Sequence, residues 1–321
     1  MTRTPLATAR RPALRGAAAS THRRRRRSLS DNSYALLLIA PAALVLLALV
    51  AWPLVKLVVD SLYSGSTFDI GGRRFAGLAN YREMFSDPAV RAAAWRTLVY
   101  TVVVVSAELV LGLAMALLFY ALGPRSQILR TVFLYPLMIA PLVAGLLWRF
   151  MLIDNFGIVN ELLAQIGVID SSGDIAWLSD PDLVLFSVAI PDVWLTTSFM
   201  TLMLFAGLQS IPPELLESAR IDGARGLRLL GSILLPLLRP VIAVALIIRG
   251  VDAARAFDVI LIQTGGGPQS ASETLSLHIY KTMVTYSDPG SAAAISTVFM
   301  TVMMVVALIA VMTIWRPGRG S

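Results

Sequence analysis

Long apolar runs alternate with short polar segments along almost the whole chain. Six runs are long enough to cross a bilayer, which takes about 20 helical residues. Because a backbone in lipid must satisfy its own hydrogen bonds, each run is predicted to be a helix, even where β-branched residues cluster at 101–106. The predicted spans lie near 35–62, 94–121, 128–151, 183–209, 237–262 and 292–315.

This pattern predicts an all-α fold, a polytopic membrane protein with six transmembrane helices. We divide the chain into a disordered basic tail (1–33), one membrane domain (34–315) and a short C-terminus (316–321). The membrane domain contains a polar loop, residues 210–236, which is predicted to form a helix-turn-helix.

Composition supports a membrane protein and removes several other classes. The chain is 56% hydrophobic and 15% charged, whereas soluble domains are about 25% charged. It has no cysteine and only two histidines, which excludes a disulfide framework, a thiolate metal site and a multi-histidine metal centre. We expect no metal site and no cofactor in this chain.

The distribution of basic residues predicts the orientation. The net charge is +7, and nine arginines lie in residues 1–33, as expected for a cytoplasmic tail, although a transit peptide is the alternative. With this tail inside, the inner segments carry 17 basic residues and the outer segments six. Both termini and the 210–236 loop are therefore predicted to be cytoplasmic, and nucleic acid is not an expected partner.

The 210–236 loop has the local signals of a short helix, a turn and a second helix. Pro213 and Glu214 suit a helix start, and Gly223 can adopt the left-handed conformation that ends a helix. The second piece runs to Pro236 at the start of the fifth span. These features fit either an interfacial helix that bridges two spans or a docking element for a cytoplasmic partner.

The spacing in this loop resembles the "EAA" motif of permease subunits of bacterial ABC importers. That motif reads Glu-Ala-Ala, three residues, Gly, nine residues, Ile, one residue, Leu-Pro, and this chain differs only at Ser218. The stretches 130–160 and 250–268 also resemble carbohydrate permeases of the maltose and trehalose type. The resemblance implies that the loop couples to an ATPase through Glu217, Ser218, Ala219, Asp222, Gly223, Ile233, Leu235 and Pro236.

The resemblance also implies the rest of the transporter. The expected partners are a second permease subunit, two cytoplasmic ATPase subunits that bind ATP and Mg²⁺, an extracytoplasmic sugar-binding protein or lipoprotein, the sugar and the lipid bilayer. The expected function is ATP-driven import of a carbohydrate, a disaccharide or oligosaccharide, by alternating access across the bacterial inner membrane. The chain has no nucleotide-binding motif of its own, so it is not expected to be an enzyme.

Several polar residues lie inside the predicted spans, where they are costly and usually face protein or water. In the fifth span, acids and arginines alternate every three residues, which predicts a self-paired ladder, a wall of the translocation path, or both. Glu108 in the second span is expected to pair with an arginine of the fifth. The candidate path residues are Arg249, Asp252, Arg255, Asp258, Trp194, Thr197 and Glu108.

Two alternatives remain open at this stage. The same class of importer could carry glycerol-3-phosphate or a polyol. A path for an anion such as glycerol-3-phosphate is expected to contain arginines that are not paired with acids. A proton-coupled secondary transporter would use Glu108 and the charges of the fifth span. A membrane scaffold without transport leaves the EAA spacing unexplained.

Overall fold

The computed structural model describes residues 31–65 and 72–314, which are almost entirely helical. Within these residues, five helical segments are long and apolar enough to cross a membrane. They cover the first, second, fourth, fifth and sixth predicted spans, and the second segment also includes the first part of the third predicted span. The segments are Leu38–Asp60, Pro88–Met138, Val184–Gln209, Gly226–Ala254 and Pro289–Thr313.

The first half of the described chain carries two long helices. Between them, the strands β1 (Tyr63–Ser64) and β2 (Arg74–Phe75) pair antiparallel. The helices are α1 (Asp31–Asp60), α2 (Ala79–Ser86), α3 (Pro88–Leu122), α4 (Gln127–Leu134), α5 (Pro141–Met151), α6 (Ile158–Gln165) and α7 (Val184–Ser187).

The second half contains three long helices and several short ones. The helices are α8 (Ile190–Gln209), α9 (Pro213–Ile221), α10 (Gly226–Leu229), α11 (Leu235–Ala254), α12 (Asp258–Gln263), α13 (Leu275–Val284) and α14 (Pro289–Ile314). Leu230–Leu234 forms a π-helical turn between α10 and α11.

Contacts divide the chain into two units, Met1–Pro53 and Leu54–Ser321. Of the first unit, the structure describes residues 31–53 in α1, whose apolar side chains are largely exposed over 38–50. The second unit contains all the other described elements. The predicted tail (1–33) lies outside the described residues except for 31–33, and so does the predicted C-terminus (316–321).

The third predicted span, 128–151, is not one continuous helix. It is divided into α4, a 3₁₀ turn at Tyr135–Met138 and α5, with extended backbone at Ile139 and Ala140. Proline lacks a backbone N–H and disfavours the α conformation in the residue before it, so Pro141 explains why α5 starts where it does. The apolar run was correctly found, but its continuity was wrongly predicted.

The second predicted span begins earlier than expected. Asp87 accepts a hydrogen bond from the Ala89 backbone N–H at 2.7 Å, and Pro88 occupies the first turn, so the long helix α3 starts here. Residues 88–93, which precede the predicted span, are thus the first turns of α3.

The core of the second unit lies between α3, α8 and α11. Close packing of α3 on α8 depends on Gly112, because a Cβ there would lie 2.7 Å from Met200 Cγ and 3.1 Å from the Thr201 backbone nitrogen. Around this contact, the buried cluster includes Phe119, Leu204, Leu208, Leu216 and Leu238. These helices place the polar residues discussed next.

Candidate functional site: a helix–glycine–helix segment and a buried charge cluster

The polar loop contains α9, a turn at Gly223 and the helical run that begins with α10. Gly223 has φ +82°, the left-handed conformation that glycine adopts without strain. Just after α9 ends, the Ala224 N–H donates to the Ala219 carbonyl at 2.9 Å, closing the C-terminus of that helix. The position of this loop on the cytoplasmic side of the membrane stays a prediction.

One side of this segment is buried and the other is exposed. Leu216 and Ala219 are buried against the core, whereas Glu217 faces outward. The turn also presents apolar groups, because Ile221 and Leu227 are each 85% exposed.

The remaining motif residues occupy two different places. Ser218 and Asp222 are exposed near Glu217, whereas Ile233, Leu235 and Pro236 are half-buried in the π-helical turn and the start of α11. The second helical piece runs on into the fifth span, because the helical run from Gly226 to Ala254 is continuous over 29 residues. At 1.5 Å per residue this is a rod of roughly 40 Å.

Near the far end of that rod, Arg249 forms the centre of a buried charge cluster. Arg249 Nε donates to Glu108 Oε2 at 2.7 Å, and Nη2 donates to Glu108 Oε1 at 2.6 Å. Glu108 is fully buried and the Arg249 side chain is 3% exposed. This bidentate pair confirms that Glu108 pairs with an arginine of the fifth span.

Two further acids share the same arginine. Asp192 Oδ1 accepts from Arg249 Nη2 at 3.3 Å, and Asp252 accepts from Arg249 Nη1. The Tyr100 hydroxyl donates to Asp192 Oδ2 at 3.1 Å, and the Thr196 hydroxyl donates to Glu108. The cluster therefore joins α3, α8 and α11 through charge-assisted hydrogen bonds.

Sequence reasoning missed Asp192, Tyr100 and Thr196 as members of this cluster. Asp192 lies within the fourth predicted span, and an acid at membrane depth is itself a signal of a buried partner. The hydroxyl groups of Tyr100 and Thr196 had no such signal, because tyrosine and threonine are common in spans. Only the packing of α3 on α8 brings them to the carboxylates.

The predicted ladder of four alternating charges is wrong. α11 ends at Ala254, and Arg255 is no longer helical, so Asp258 begins the separate helix α12. Over the residues that the structure covers, Arg249 pairs with Asp252, but no ion pair joins Arg255 to either Asp252 or Asp258. The periodicity argument failed because it assumed an unbroken helix.

The aromatic and hydroxyl candidates of α8 separate into different environments. Trp194 is 37% exposed and packs edge-on to Trp148, with 6.1 Å between ring centroids. Thr197 is buried and its hydroxyl donates to the Val193 carbonyl of its own helix at 2.6 Å. Trp194 therefore retains a face for a ligand, whereas the Thr197 hydroxyl is already used in helix packing.

The segment after α12 holds a second ionic cluster outside the membrane-spanning helices. Glu273 accepts from His278 Nδ1 at 2.7 Å and from Lys281 Nζ at 2.5 Å. Burial alone would raise the pKa of Glu273, but the hydrogen bonds and charges of His278 and Lys281 outweigh it and lower the pKa to about 2. This cluster fixes the connection between α12 and α13.

No group of three or more potential metal ligands occurs among residues 31–65 and 72–314. The arrangement offers three components: an exposed surface with Glu217, Ile221 and Leu227, a long continuous helix, and a polar cluster at its far end. Such a set can transmit a displacement at one end of α11 to side chains at the other.

Comparison with known proteins identifies relatives over most of the chain. Residues 108–317 match the family described as "Binding-protein-dependent transport system inner membrane component". The sulfoquinovosyl glycerol transport system permease protein SmoG of Agrobacterium fabrum is 35% identical over 87% of this chain and 89% of that protein. The trehalose/maltose transport system permease protein MalF of Thermococcus litoralis is 38% identical over 81% of this chain and 86% of that protein.

A solved structure has the same fold. It is the crystal structure of a bacterial ABC transporter involved in the import of the acidic polysaccharide alginate. The matching chain has a TM-score of 0.74 and 22% identity, covering 90% of this chain and 96% of that one.

Proposed function

This chain belongs to the family of binding-protein-dependent transport system inner membrane components, and from that premise we propose that it is a permease subunit of an ATP-driven carbohydrate importer. Its relatives are permease subunits of sugar importers. The subunit would form the translocation path together with a second permease and receive its substrate from an extracytoplasmic binding protein. ATP and Mg²⁺ would be bound by two separate ATPase subunits.

The observation that carries this proposal is the geometry of the α9–Gly223–α10 segment. Glu217 is exposed for an ion pair, and the exposed apolar groups Ile221 and Leu227 lie in the same segment. We propose that this surface docks in the cytoplasmic ATPase. The spacing from Glu217 to Pro236 agrees with the EAA motif of such permeases except at Ser218.

Coupling would then pass along the continuous helical run that begins at Gly226. Arg249 lies 23 residues further along the chain, roughly 35 Å along a helix axis. A tilt imposed at the docking end by closure of the ATPase pair would therefore move the end that holds the charge cluster. We propose that this tilt of the helical run underlies alternating access in this subunit.

At Arg249, charge balance favours a neutral substrate over an anion such as glycerol-3-phosphate, whereas Arg255 is exposed and forms no ion pair with a described residue. Arg249 contacts three carboxylates, those of Glu108, Asp192 and Asp252, so its positive charge is already compensated. The Asp252 side chain remains 66% exposed and can accept hydrogen bonds from hydroxyl groups. Together with the half-exposed ring of Trp194, it fits a hydroxyl-rich sugar such as a disaccharide or oligosaccharide.

The proposal includes a topology with six spans in the inner membrane and both termini in the cytoplasm. The two apolar helices α4 and α5 would supply the third crossing together, although the chain between them is not helical throughout. The excess of basic residues in the inner segments supports this orientation.

The experiment is uptake by the importer reconstituted in proteoliposomes with its ATPase, second permease and binding protein. We expect ATP-dependent uptake of at least one member of a panel containing trehalose, maltose, glycerol and glycerol-3-phosphate. Uptake of glycerol-3-phosphate alone would refute the neutral-sugar assignment. Uptake that follows a proton gradient and persists without ATP would indicate a secondary transporter instead.

The coupling role has a matched pair of variants on α9. Glu217→Lys reverses a charge within the motif, whereas Glu214→Lys reverses an exposed charge one turn earlier, outside the motif. We expect Glu217→Lys to abolish uptake and co-purification of the ATPase, and Glu214→Lys to preserve both. Equal behaviour of the two variants would overturn the assignment of this surface.

A further inference from the structure

A cavity of about 330 Å³ lies outside the charge cluster, where three segments of the second unit meet. Its walls come from the last turn of α5, the long loop that follows, and the turn after α12. The polar side chains in these walls are Arg149, Asp154, Ser179, Gln263 and Thr264. Its volume is at the small end of the usual range for ligand pockets, about 300 to 1,000 Å³.

The cavity and the proposed ATPase-docking segment lie at opposite ends of α8. The loop that contributes Asp154 and Ser179 precedes α8, whereas α9 follows it after three residues. α8 has 20 residues, a length of about 30 Å. Given the proposed topology, the cavity opens on the extracytoplasmic side, where a binding protein would deliver substrate.

Two opposite charges face this cavity without pairing. Arg149 uses Nη1 to hold the Ile262 carbonyl at 2.9 Å, and Asp154 uses Oδ1 to accept from the Leu178 N–H at 3.2 Å. Within the described ranges neither side chain is in an ion pair. Each keeps further hydrogen-bonding atoms for a ligand that has both donors and acceptors.

Gln263 adds a buried acceptor to the same wall. The residue is 3% exposed, and its Nε2 donates to the Val188 carbonyl at 3.4 Å. Its Oε1 is buried and receives no hydrogen bond from the residues that the structure describes. Buried polar atoms are normally satisfied, so the Oε1 atom of this cavity-lining residue has capacity for one further hydrogen-bond donor.

The loop wall is held in place by one asparagine. Asn160 is fully buried, and its Nδ2 donates to the carbonyls of Asp154 at 2.7 Å and Ile175 at 2.8 Å. Its Oδ1 accepts from Trp177 Nε1 at 2.5 Å. This network fixes both ends of the loop around the cavity, so the polar groups are preorganised rather than flexible.

We infer that this cavity is a receiving site for a single ring of a neutral, hydroxyl-rich sugar before it enters the translocation path. The inference rests on the proposed carbohydrate-import function. Hydroxyl groups donate to Asp154 and to the Gln263 oxygen and accept from the Arg149 guanidinium. A simple anion would satisfy Arg149 but would meet the carboxylate of Asp154 and offer no proton to Gln263.

The absence of cysteine from this chain permits a direct occupancy test. Ser179→Cys places one thiol in the cavity wall, and Ser86→Cys places one at an exposed site at the end of α2. The sample is the complex of this subunit with the second permease and the ATPase subunits, without the binding protein. We measure maleimide labelling of this subunit with and without trehalose or maltose. Sugar at a few times its Kd should slow labelling of Ser179→Cys about threefold or more and leave Ser86→Cys unchanged.

Two further variants keep the inference falsifiable if the cysteine variant is unstable. Gln263→Leu removes the unpaired acceptor, and Asp154→Asn removes the charge while keeping an oxygen for the Leu178 N–H; Asp170→Asn in the same loop is the control. Each cavity variant should raise the sugar concentration for half-maximal uptake roughly three- to tenfold, the loss expected for one net hydrogen bond. Basal ATPase activity and the gel-filtration profile should match those of the control.

The outcomes separate this inference from the proposed function. If the wild-type importer takes up no carbohydrate, the proposed function fails and the receiving site falls with it. If the wild-type importer takes up trehalose or maltose, but the sugar does not slow labelling of Ser179→Cys or slows both cysteines equally, and the cavity variants match Asp170→Asn, only the receiving site is refuted.

Discussion

Arg249→Met tests the buried charge cluster most directly. The substitution keeps most of the side-chain volume but leaves Glu108, fully buried, and Asp192, with a side chain 13% exposed, facing each other without a cation. Removing one partner of a buried ion pair typically costs about 3 to 5 kcal/mol, because the remaining charge is uncompensated. We expect a loss of that size for Arg249→Met.

Substitution of the acidic partner, Glu108, should cost less stability. In Glu108→Gln, Arg249 keeps the carboxylates of Asp192 and Asp252, and the new amide can still accept from Thr196. The loss is then that of weakened hydrogen bonds, about 1 to 3 kcal/mol. Combining both substitutions removes one unpaired carboxylate, so the double variant should be more stable than the sum of the single losses predicts, by about 1 to 3 kcal/mol.

The assay is unfolding of the purified subunit by SDS in mixed micelles, followed by tryptophan fluorescence. Arg255→Met is the matched control, since Arg255 is exposed and makes no ion pair with another described residue; it should change stability by less than about 0.5 kcal/mol. The reasoning is refuted if Glu108→Gln is as damaging as Arg249→Met, or if the two losses are strictly additive.

Three other results are expected. Gly223→Val should abolish ATP-coupled uptake, while Gly223→Asn should largely retain it. Since φ is +82° and a Cβ would meet no atom within 4 Å, backbone strain, and not lack of space within this subunit, determines which residues are tolerated here. Equal uptake by both variants would contradict this. Gly112→Leu should prevent stable folding in gel filtration, whereas Gly231→Leu, in open space, should not. The pKa of Glu273 is lowered to about 2. The stability contributed by its ionised carboxylate is therefore complete above the ordinary pKa of about 4.5 and is lost as pH falls toward 2. Proteolysis of the 264–288 segment should increase over that pH window, and Glu273→Gln should remove the pH dependence.

Part of the candidate site could be predicted from the sequence, because local chemistry determines it. The turn at Gly223 follows from the φ angle that glycine allows, and the structure has it. Pairing of Glu108 with an arginine of the fifth span followed from the cost of an isolated charge in lipid. The residue that completes the arrangement, Asp192, was not identified, since nothing local shows which helices are neighbours.

The failures share a cause. A period of three to four residues predicts neighbours only while the helix continues, and α11 stops at Ala254, which separates Arg255 and Asp258 from the cluster. In the third span, apolar character persists through Pro136 and Pro141, so hydropathy did not register the break between α4 and α5. Hydropathy measures preference for lipid, whereas helix continuity depends on backbone hydrogen bonds.

By itself, the sequence determined that the chain crosses a membrane several times and that one polar loop carries a motif with a helix, a glycine turn and a helix. These properties depend on residues close together along the chain. Only the tertiary structure decided that Arg249 is shared by acids from three helices and that Arg149, Asp154 and Gln263 line one cavity. Those features join residues far apart in sequence, and helix packing, which hydropathy does not encode, brings them together.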